Sequence, residues 1–285
     1  MITLSALAKI NLTLEVLGRR DDGYHEIASI LQTIALADEL SLEPAAAMEV
    51  VCTDPAVDRP DLITEPILRA AELLRERTGC AQGARIRFER MGIPRGAGLG
   101  SSSAAPAAVL RGLRDLWKLT LSESELEEMA ASLGSDTPFF IRGGTAVAGG
   151  RGERITPLKP LPTVWLVIIV PTIESGPQKT ARLYRALTRA HYASGAATAR
   201  LARELRAGRP LRAEFLYNTF EEIAFDFFSG LEAYREKFLA AGAPSVHLAG
   251  SGPALFALVG DISEGELLYR RLRDMGLRVY LTHTV

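Results

Sequence analysis

The stretch Pro94-Arg95-Gly96-Ala97-Gly98-Leu99-Gly100-Ser101-Ser102-Ser103-Ala104-Ala105-Pro106-Ala107-Ala108-Val109-Leu110 runs from three glycines through three serines into an Ala-rich helix former. Glycine admits left-handed turns and lets a ligand approach the main chain closely. The first N–H groups of the helix that follows have no internal partner, and the positive end of the helix dipole lies behind them. This order predicts an anion site built from backbone and suited to a di- or triphosphate. The serine hydroxyls add groups that bond phosphate oxygens or ligate magnesium. A flexible Gly/Ser linker is the competing reading, but both flanks read as folded core. No Gly-x-x-x-x-Gly-Lys-Ser/Thr is present, and Gly-x-Gly-x-x-Gly fits poorly because the third glycine comes one residue early.

Outward from the loop, Ile10, Leu12, Leu14 and Val16 alternate with Asn11, Thr13 and Glu15, which predicts a strand with one face in the core. Gly18–Gly23 reads as a turn. Residues 48–52 and 84–88 are further strand candidates, and 67–77 has helical spacing closed by Gly79. A helix is expected over 104–116. Pro106 argues for a late start, since proline fits only a helix's first turn and biases Ala105 away from helical angles. Ser122-Glu123-Ser124-Glu125 is a capping-box pattern for a helix that closes at Gly134. Beyond residue 160 a buried strand (164–170) precedes helices at 178–190, 197–207 and 219–241. A strand pair (246–249, 254–259), a helix (263–275) and a last strand (278–283) follow. Strands and helices mix without regular alternation, so the fold class is α+β in two lobes. The boundary is expected in the Pro-rich stretch Pro157–Pro162, giving lobes 1–160 and 161–285.

Bulk properties narrow the function. The 285 residues suit one large domain or two intimate ones, with 47% hydrophobic and 24% charged residues as in ordinary globular chains. A net charge of −1 provides no field for nucleic acid or an anionic membrane. Arginines recur between Arg182 and Arg212 at three- to four-residue spacing, as on a solvated helix face. Cys52 and Cys80 form no metal or redox motif, and the four histidines form no ligand cluster, so a reducing cytoplasm fits. The first residues do not read as a signal peptide, and the apolar run 164–170 is too short to span a bilayer.

Three further segments carry chemistry. Lys9, with Asn11, opens the alternating strand in Ala8-Lys9-Ile10-Asn11-Leu12. Asp136 lies in the turn Gly134-Ser135-Asp136-Thr137-Pro138, where a helix-capping role is equally natural when the segment is read alone. Tyr24 and His25 in Asp22-Gly23-Tyr24-His25-Glu26 offer a flat ring beside an imidazole, as a heterocyclic base requires. Farther on are Thr180-Ala181-Arg182-Leu183-Tyr184, Asn218-Thr219-Phe220-Glu221 and Ala249-Gly250-Ser251-Gly252-Pro253-Ala254. The last reads either as a plain hairpin turn or as a second set of backbone donors at a cleft.

Pro94 through Ala104 resembles the phosphate loop of the GHMP kinase superfamily, Pro-x-x-x-Gly-Leu-Gly-Ser-Ser-Ala, with Ser103 where the pattern has alanine. Over nearly the whole chain the motifs, in this order, resemble one branch of that superfamily, and Asp-Gly-Tyr-His-Glu is the specific element. The resemblance implies a two-lobed GHMP kinase fold, with a ribosomal protein S5 domain 2-like N-terminal lobe and a ferredoxin-like C-terminal lobe. It implies ATP-dependent phosphorylation of the 2-hydroxyl of a cytidine diphosphate-linked methylerythritol, a step toward isoprenoid precursors by the non-mevalonate route. Lys9 and Asp136 would be the catalytic pair. Pro94, Gly96, Ala97, Gly98, Leu99, Gly100, Ser101, Ser102, Ser103 and Ala104 would bind ATP. Asn11, Tyr24, His25, Thr180 and Tyr184 would bind substrate, and Gly250, Ser251 and Gly252 would form a cleft turn. That branch usually reads Gly-Leu-Gly-Gly-Gly-Ser-Ser-Asn/Asp-Ala-Ala, so Ala104 and Ala105 replace two polar residues and leave Ser102 and Ser103 as the magnesium (Mg2+) candidates. The implied partner is a small molecule, with no nucleic acid and no membrane, in a cytoplasmic monomer or homodimer. The alternatives are a homoserine- or mevalonate-type kinase of the same superfamily, and a non-catalytic metabolite-binding relative.

Overall fold

The computed structural model describes residues 1–52, 61–174 and 176–285. In chain order the elements of the first half are β1 (Ile2–Arg19), β2 (His25–Ala45), β3 (Met48–Cys52), α1 (Asp61–Thr78), β4 (Gly83–Met91), α2 (Ser101–Leu116), α3 (Glu123–Leu133), α4 (Phe139–Arg142), β5 (Thr145–Gly149) and β6 (Arg154–Pro157). The second half supplies β7 (Trp165–Ile169), α5 (Lys179–Ala186), α6 (Ala196–Arg206), β8 (Tyr217–Asn218), α7 (Glu221–Phe227), α8 (Leu231–Ala240), β9 (His247–Leu248), β10 (Leu255–Val259), α9 (Ile262–Asp274) and β11 (Val279–His283). The chain is α+β.

Two compact units emerge, neither continuous in sequence. Met1–Ala8, Leu36–Pro94 and Gly100–Gly143 form the first; Lys9–Ala35, Arg95–Leu99 and Gly144–Val285 form the second. This partition differs from lobes of 1–160 and 161–285. β1 and β2 are 18 and 21 residues long, and each contributes one part to each unit. The glycine-rich loop changes unit as well, between Leu99 and Gly100.

In the first unit β4 pairs antiparallel with the C-terminal part of β2, from Asp38↔Met91 to Ala45↔Gly83, and parallel with β3. Leu40, Leu42, Ile86 and Phe88 project into a core completed by Leu74, Val109, Leu110 and Leu113 of α1 and α2. α2 lies hard against the sheet at Gly112, where an added Cβ would meet Leu42 Cδ2 at 2.8 Å. Ser122 caps α3 as its sequence predicts: its Oγ accepts from the Glu125 amide while Glu125 Oε2 accepts from the Ser122 amide.

The second unit holds two sheets' worth of strands. β5 pairs antiparallel with β2 and then with β6, while β8 runs parallel to β1 at Thr13↔Tyr217 and Leu14↔Asn218. A separate antiparallel sheet has the order β11-β7-β10-β9. Its inner face buries Val167, Ile169, Leu255 and Ala257 against Leu268 and Leu272 of α9 and Phe220, Phe228 and Phe238 from α7 and α8 and their flanks.

Several local expectations need revision. α2 starts at Ser101 rather than Ala104, because Gly100 takes a left-handed conformation (φ 85°) and turns the chain directly into the helix. Pro106 is accommodated inside it. The stretch 219–241 is two helices, broken at Ser229-Gly230, where Gly230 has φ 83°. The helix expected over 178–190 ends at Ala186 and is followed by a 3-10 turn over Arg189–His191. The β5–β6 hairpin has no strong period-two pattern and was not expected. The arginines between Arg182 and Arg212 are exposed.

β1 shows the largest difference. Residues Ala8–Val16 are buried on both faces, and Lys9, Asn11, Thr13 and Glu15 are as inaccessible as the leucines between them. Each polar side chain has a built partner. The Glu15 carboxylate accepts from the amides of Ala197 (3.4 Å) and Thr198 (2.8 Å), the first turn of α6, where Gly195 supplies no side-chain cap. A carboxylate there satisfies two orphan N–H groups and meets the positive helix end. Replacing Glu15 by alanine is expected to destabilise the protein by about 2–3 kcal/mol, because hydrogen bonds to charged groups are worth more than neutral ones. Glu15→Gln, which keeps one acceptor, should lose clearly less. Thermal melts of both variants beside the wild type check the order, and equal melting temperatures for all three would refute it.

Candidate active site

The glycine loop is shaped by positive φ at Gly96 (67°), Gly98 (87°) and Gly100 (85°). Its first half, Arg95–Leu99, belongs to the second unit, and three bonds or contacts fix it there. The Lys9 amide donates to the Leu99 carbonyl (3.0 Å), and the Ala254 amide donates to the Ala97 carbonyl (3.2 Å). Gly98 passes so close to the Ala249 carbonyl that a Cβ would overlap it. Gly250 is equally confined: a Cβ there would lie 2.8 Å from the Gly98 carbonyl, 3.1 Å from Asn11 Oδ1 and 3.1 Å from Lys9 Nζ. The loop, the Gly250-Ser251-Gly252 turn, Lys9 and Asn11 are therefore neighbours within one unit.

Lys9 is 4% exposed, and its Nζ donates to Asn11 Oδ1 at 2.6 Å. Asn11 Nδ2 in turn donates to Ser29 Oγ (2.8 Å), whose hydroxyl donates to the Thr13 carbonyl (2.5 Å). The amide of Asn11 is thereby oriented with its oxygen toward the ammonium. Asn218, which the sequence did not assign, supports the turn: its Nδ2 donates to the carbonyls of Leu248 (3.0 Å) and Gly250 (2.8 Å). Thr180 Oγ1 and Ser251 Oγ are 3.0 Å apart, joining the start of α5 to the same turn.

The aromatic group assembles in the same unit. The His25 ring stacks on Tyr184 (centroids 5.1 Å, planes 26° apart), with Tyr192 at its edge. Burial, followed by the Arg19 charge, holds the His25 imidazole below its ordinary range and so favours the neutral ring, with one donor and one acceptor nitrogen. Tyr24 is 51% exposed, and the Arg151 guanidinium lies 4.9 Å over its ring.

The loop's second half belongs to the first unit. The amides of Ser103 and Ala104 both turn back to the Gly100 carbonyl at 3.0 Å, so Ser101 and Ser102 precede the first internal bond of α2. Ser101 and Ser103 are buried, and Ser102 is exposed. The turn that carries Asp136 packs beside this helix start: a Cβ on Gly134 would lie 3.7 Å from Ser103 Oγ and 2.9 Å from Thr137 Oγ1. Pro94 is buried just before the loop. Lys9 thus adjoins the loop's first half in one unit, and the turn that carries Asp136 adjoins its second half in the other. Among the described residues no cluster of three His, Cys, Asp or Glu could hold a metal by itself. Hydroxyl oxygens on the first turn of α2, Ser102 exposed among them, do fit a magnesium ion that keeps waters and shares phosphate oxygens.

Residues 65–144 match the family model of the GHMP kinase N-terminal domain. The chain is 43% identical over 287 residues to the 4-diphosphocytidyl-2-C-methyl-D-erythritol kinase of Dehalococcoides mccartyi, covering all of this chain and 99% of that one. A crystal structure of a 4-(cytidine 5'-diphospho)-2C-methyl-D-erythritol kinase superposes with a TM-score of 0.81 at 33% identity, with 99% of each chain covered. The mevalonate kinase of L. major in complex with R-mevalonate shares the fold (TM-score 0.73, 16% identity, 100% of this chain and 96% of that one).

The backbone approach at Gly98 gives a direct test of the loop. Gly98→Ala adds a methyl group against the Ala249 carbonyl at a left-handed position. We expect it to weaken ATP-analogue binding at least roughly tenfold, corresponding to about 1.4 kcal/mol, whereas Gly96→Ala, which meets no atom within 4 Å, should weaken it less. Calorimetric titration of both variants ranks them; the reverse ranking would disprove the assignment.

Proposed function

Because the chain belongs to the 4-diphosphocytidyl-2-C-methyl-D-erythritol kinase family of GHMP kinases, we propose that it transfers the γ-phosphoryl group of ATP to the 2-hydroxyl of 4-diphosphocytidyl-2-C-methyl-D-erythritol. The observation that carries this reading is the seating of Lys9, bonded through its backbone to the glycine loop while its ammonium reaches the Gly250 turn.

In the reaction the hydroxyl oxygen forms a bond to the γ-phosphorus, the bond to the bridging oxygen breaks, and ADP leaves. Phosphoryl transfer has a loose transition state, so positioning and electrostatics supply most of the catalysis. Asp136 orients the hydroxyl and takes its proton late, since a carboxylate is a weak base at neutral pH. Lys9, the other member of the catalytic pair, offsets the charge that moves between nucleophile and γ-phosphate. Pro94 through Ala104 cradle the phosphates, with Gly96, Gly98 and Gly100 giving the approach and α2 the donors. Ser102 and Ser103 would hold magnesium, which would supply neutralisation of phosphate charge. Asn11 and Thr180 contact the substrate's polar groups. Tyr24 and Tyr184 flank the cytosine, and the neutral His25 imidazole hydrogen-bonds its edge. The two unpaired cysteines and the ATP requirement suit a cytoplasmic enzyme.

An ADP-release assay with ATP and a panel of acceptors decides the substrate. Turnover with the cytidyl compound and none with mevalonate or homoserine is expected; preference for either of those would overturn the reading. Lys9→Ala and Asp136→Ala should each lower kcat by roughly 10²–10⁴-fold. The double variant should be scarcely slower than the worse single one, whereas multiplied losses would show that the two residues do not act as a unit. Tyr24→Ala should raise KM for the cytidyl substrate by roughly 5- to 150-fold, the worth of one base stack, and leave KM for ATP unchanged; steady-state kinetics in each substrate measures both, and equal rises would argue against stacking.

A further inference from the structure

Lys179 opens α5, and no role is assigned to it above. Its Nζ donates to the carbonyl of Gly96 at 2.9 Å and to that of Gly252. One acceptor belongs to the first half of the glycine loop, the other to the turn after β9. Lys9 reaches the same turn, with its Nζ 3.1 Å from the Cβ position of Gly250. Two ammonium groups of one unit thus converge on residues 250–252.

The acceptors of Lys179 are peptide carbonyls, which orient an ammonium without neutralising it. An ammonium has three N–H donors, and these two bonds leave one to spend. A positive pair brought together beside a glycine-lined backbone has an obvious complement, an oxyanion whose charge relieves the mutual repulsion. Resting on the kinase reading above, we propose that Lys179 binds a phosphate oxygen at the Gly96/Gly252 junction and so serves, with Lys9, as a second cation of the phosphoryl-transfer site.

Burial, reinforced by the Lys9 charge, pushes the Lys179 ammonium down to about 8. The cation that binds phosphate is the form present below that value, so affinity falls as pH rises through it. The other charged residues on the elements that meet Lys179 are Lys9, Glu15 and Arg19 on β1, Arg95 on the loop, and Arg182 and Arg185 on α5. The guanidinium groups stay protonated throughout this range, and the Lys179→Arg variant, which lacks a group titrating near 8, assigns the step to Lys179. The oxygen could belong to the terminal phosphates of the donor nucleotide or to the diphosphate of the acceptor.

Full-length wild type, Lys179→Met and Lys179→Arg are titrated calorimetrically with inorganic tripolyphosphate and, separately, with cytidine diphosphate, below and above the Lys179 value of about 8. In the wild type one probe should bind more weakly on the alkaline side. Lys179→Met should weaken that probe by roughly 10- to 100-fold, the range for a hydrogen bond to a charged group, and abolish its pH step. Lys179→Arg should keep most of the affinity and lack the step. An effect on tripolyphosphate assigns the donor's phosphates, and an effect on cytidine diphosphate assigns the acceptor's. Equal affinities of wild type and Lys179→Met for both probes, wild-type binding without the alkaline step, or no binding of either probe would overturn the proposal. If Lys179→Met does not fold, the wild-type and Lys179→Arg profiles decide. Neither probe requires turnover, so failure of the acceptor assignment in the ADP-release assay is read independently of this result.

Discussion

Lys9, Asn11, Thr13 and Glu15 can be buried on one face of β1 only because each has a hydrogen-bond partner, since an unpaired buried polar group costs several kcal/mol. Most of the second unit answers that requirement. Ser29 on β2 receives Asn11 and reaches the Thr13 carbonyl, which pins the two strands together from their side chains as well as their backbones. Thr13 Oγ1 accepts both the Ile30 amide and the Thr198 hydroxyl, and Glu15 takes the first amides of α6. The position of the Lys9 ammonium therefore rests on a chain of bonds through Asn11 and Ser29 to the strand's own backbone. A polar residue held this way is restrained by its partners rather than by packing alone.

Backbone closeness provides the second constraint. Gly98 and Gly250 occupy left-handed conformations where side chains would collide with carbonyls, so the glycine loop and the 250–252 turn meet main chain to main chain. The Ala254–Ala97 and Lys9–Leu99 hydrogen bonds join them without side chains. Asn218 then fixes the turn from below through two carbonyls. The result is a pair of apposed turns whose shape depends on dihedral angles that only glycine adopts cheaply.

These features were unequally legible in the sequence. The glycines announced the loop because their chemistry is local, and Ser122-Glu123-Ser124-Glu125 announced α3 for the same reason. Period-two alternation found β1 but misread its polar face, because alternation reports a difference between two faces and not which face meets solvent. Ser29 and Thr198, the partners that make burial tolerable, lie 16 and 185 residues from Thr13, and no local pattern marks them. Gly100 turned α2 on three residues early, an effect that outweighed Pro106 because the left-handed entry is fixed before the proline is reached. Interleaving of the two units was hidden for a related reason: composition changes near residue 160, whereas compaction follows long strands that serve both units. Lys179 was invisible because a lysine at a helix start ordinarily points into water.

A site that receives polyanions faces an electrostatic choice about how to hold its own cations. Carboxylate partners would fix an ammonium firmly but cancel the potential that draws phosphate in. Peptide carbonyls fix it with weaker individual bonds and leave that potential intact. Lys179 takes the second course, on carbonyls from the two glycine turns, and burial, with the Lys9 charge, makes its ammonium give up its proton more readily than usual. The aromatic group solves the opposite problem. Burial favours the neutral form of His25, which lies against the stacked ring of Tyr184 and has one donor and one acceptor nitrogen in that form. One unit thereby holds two lysines where the backbone is glycine-lined and a histidine of lowered pKa where the surroundings are aromatic.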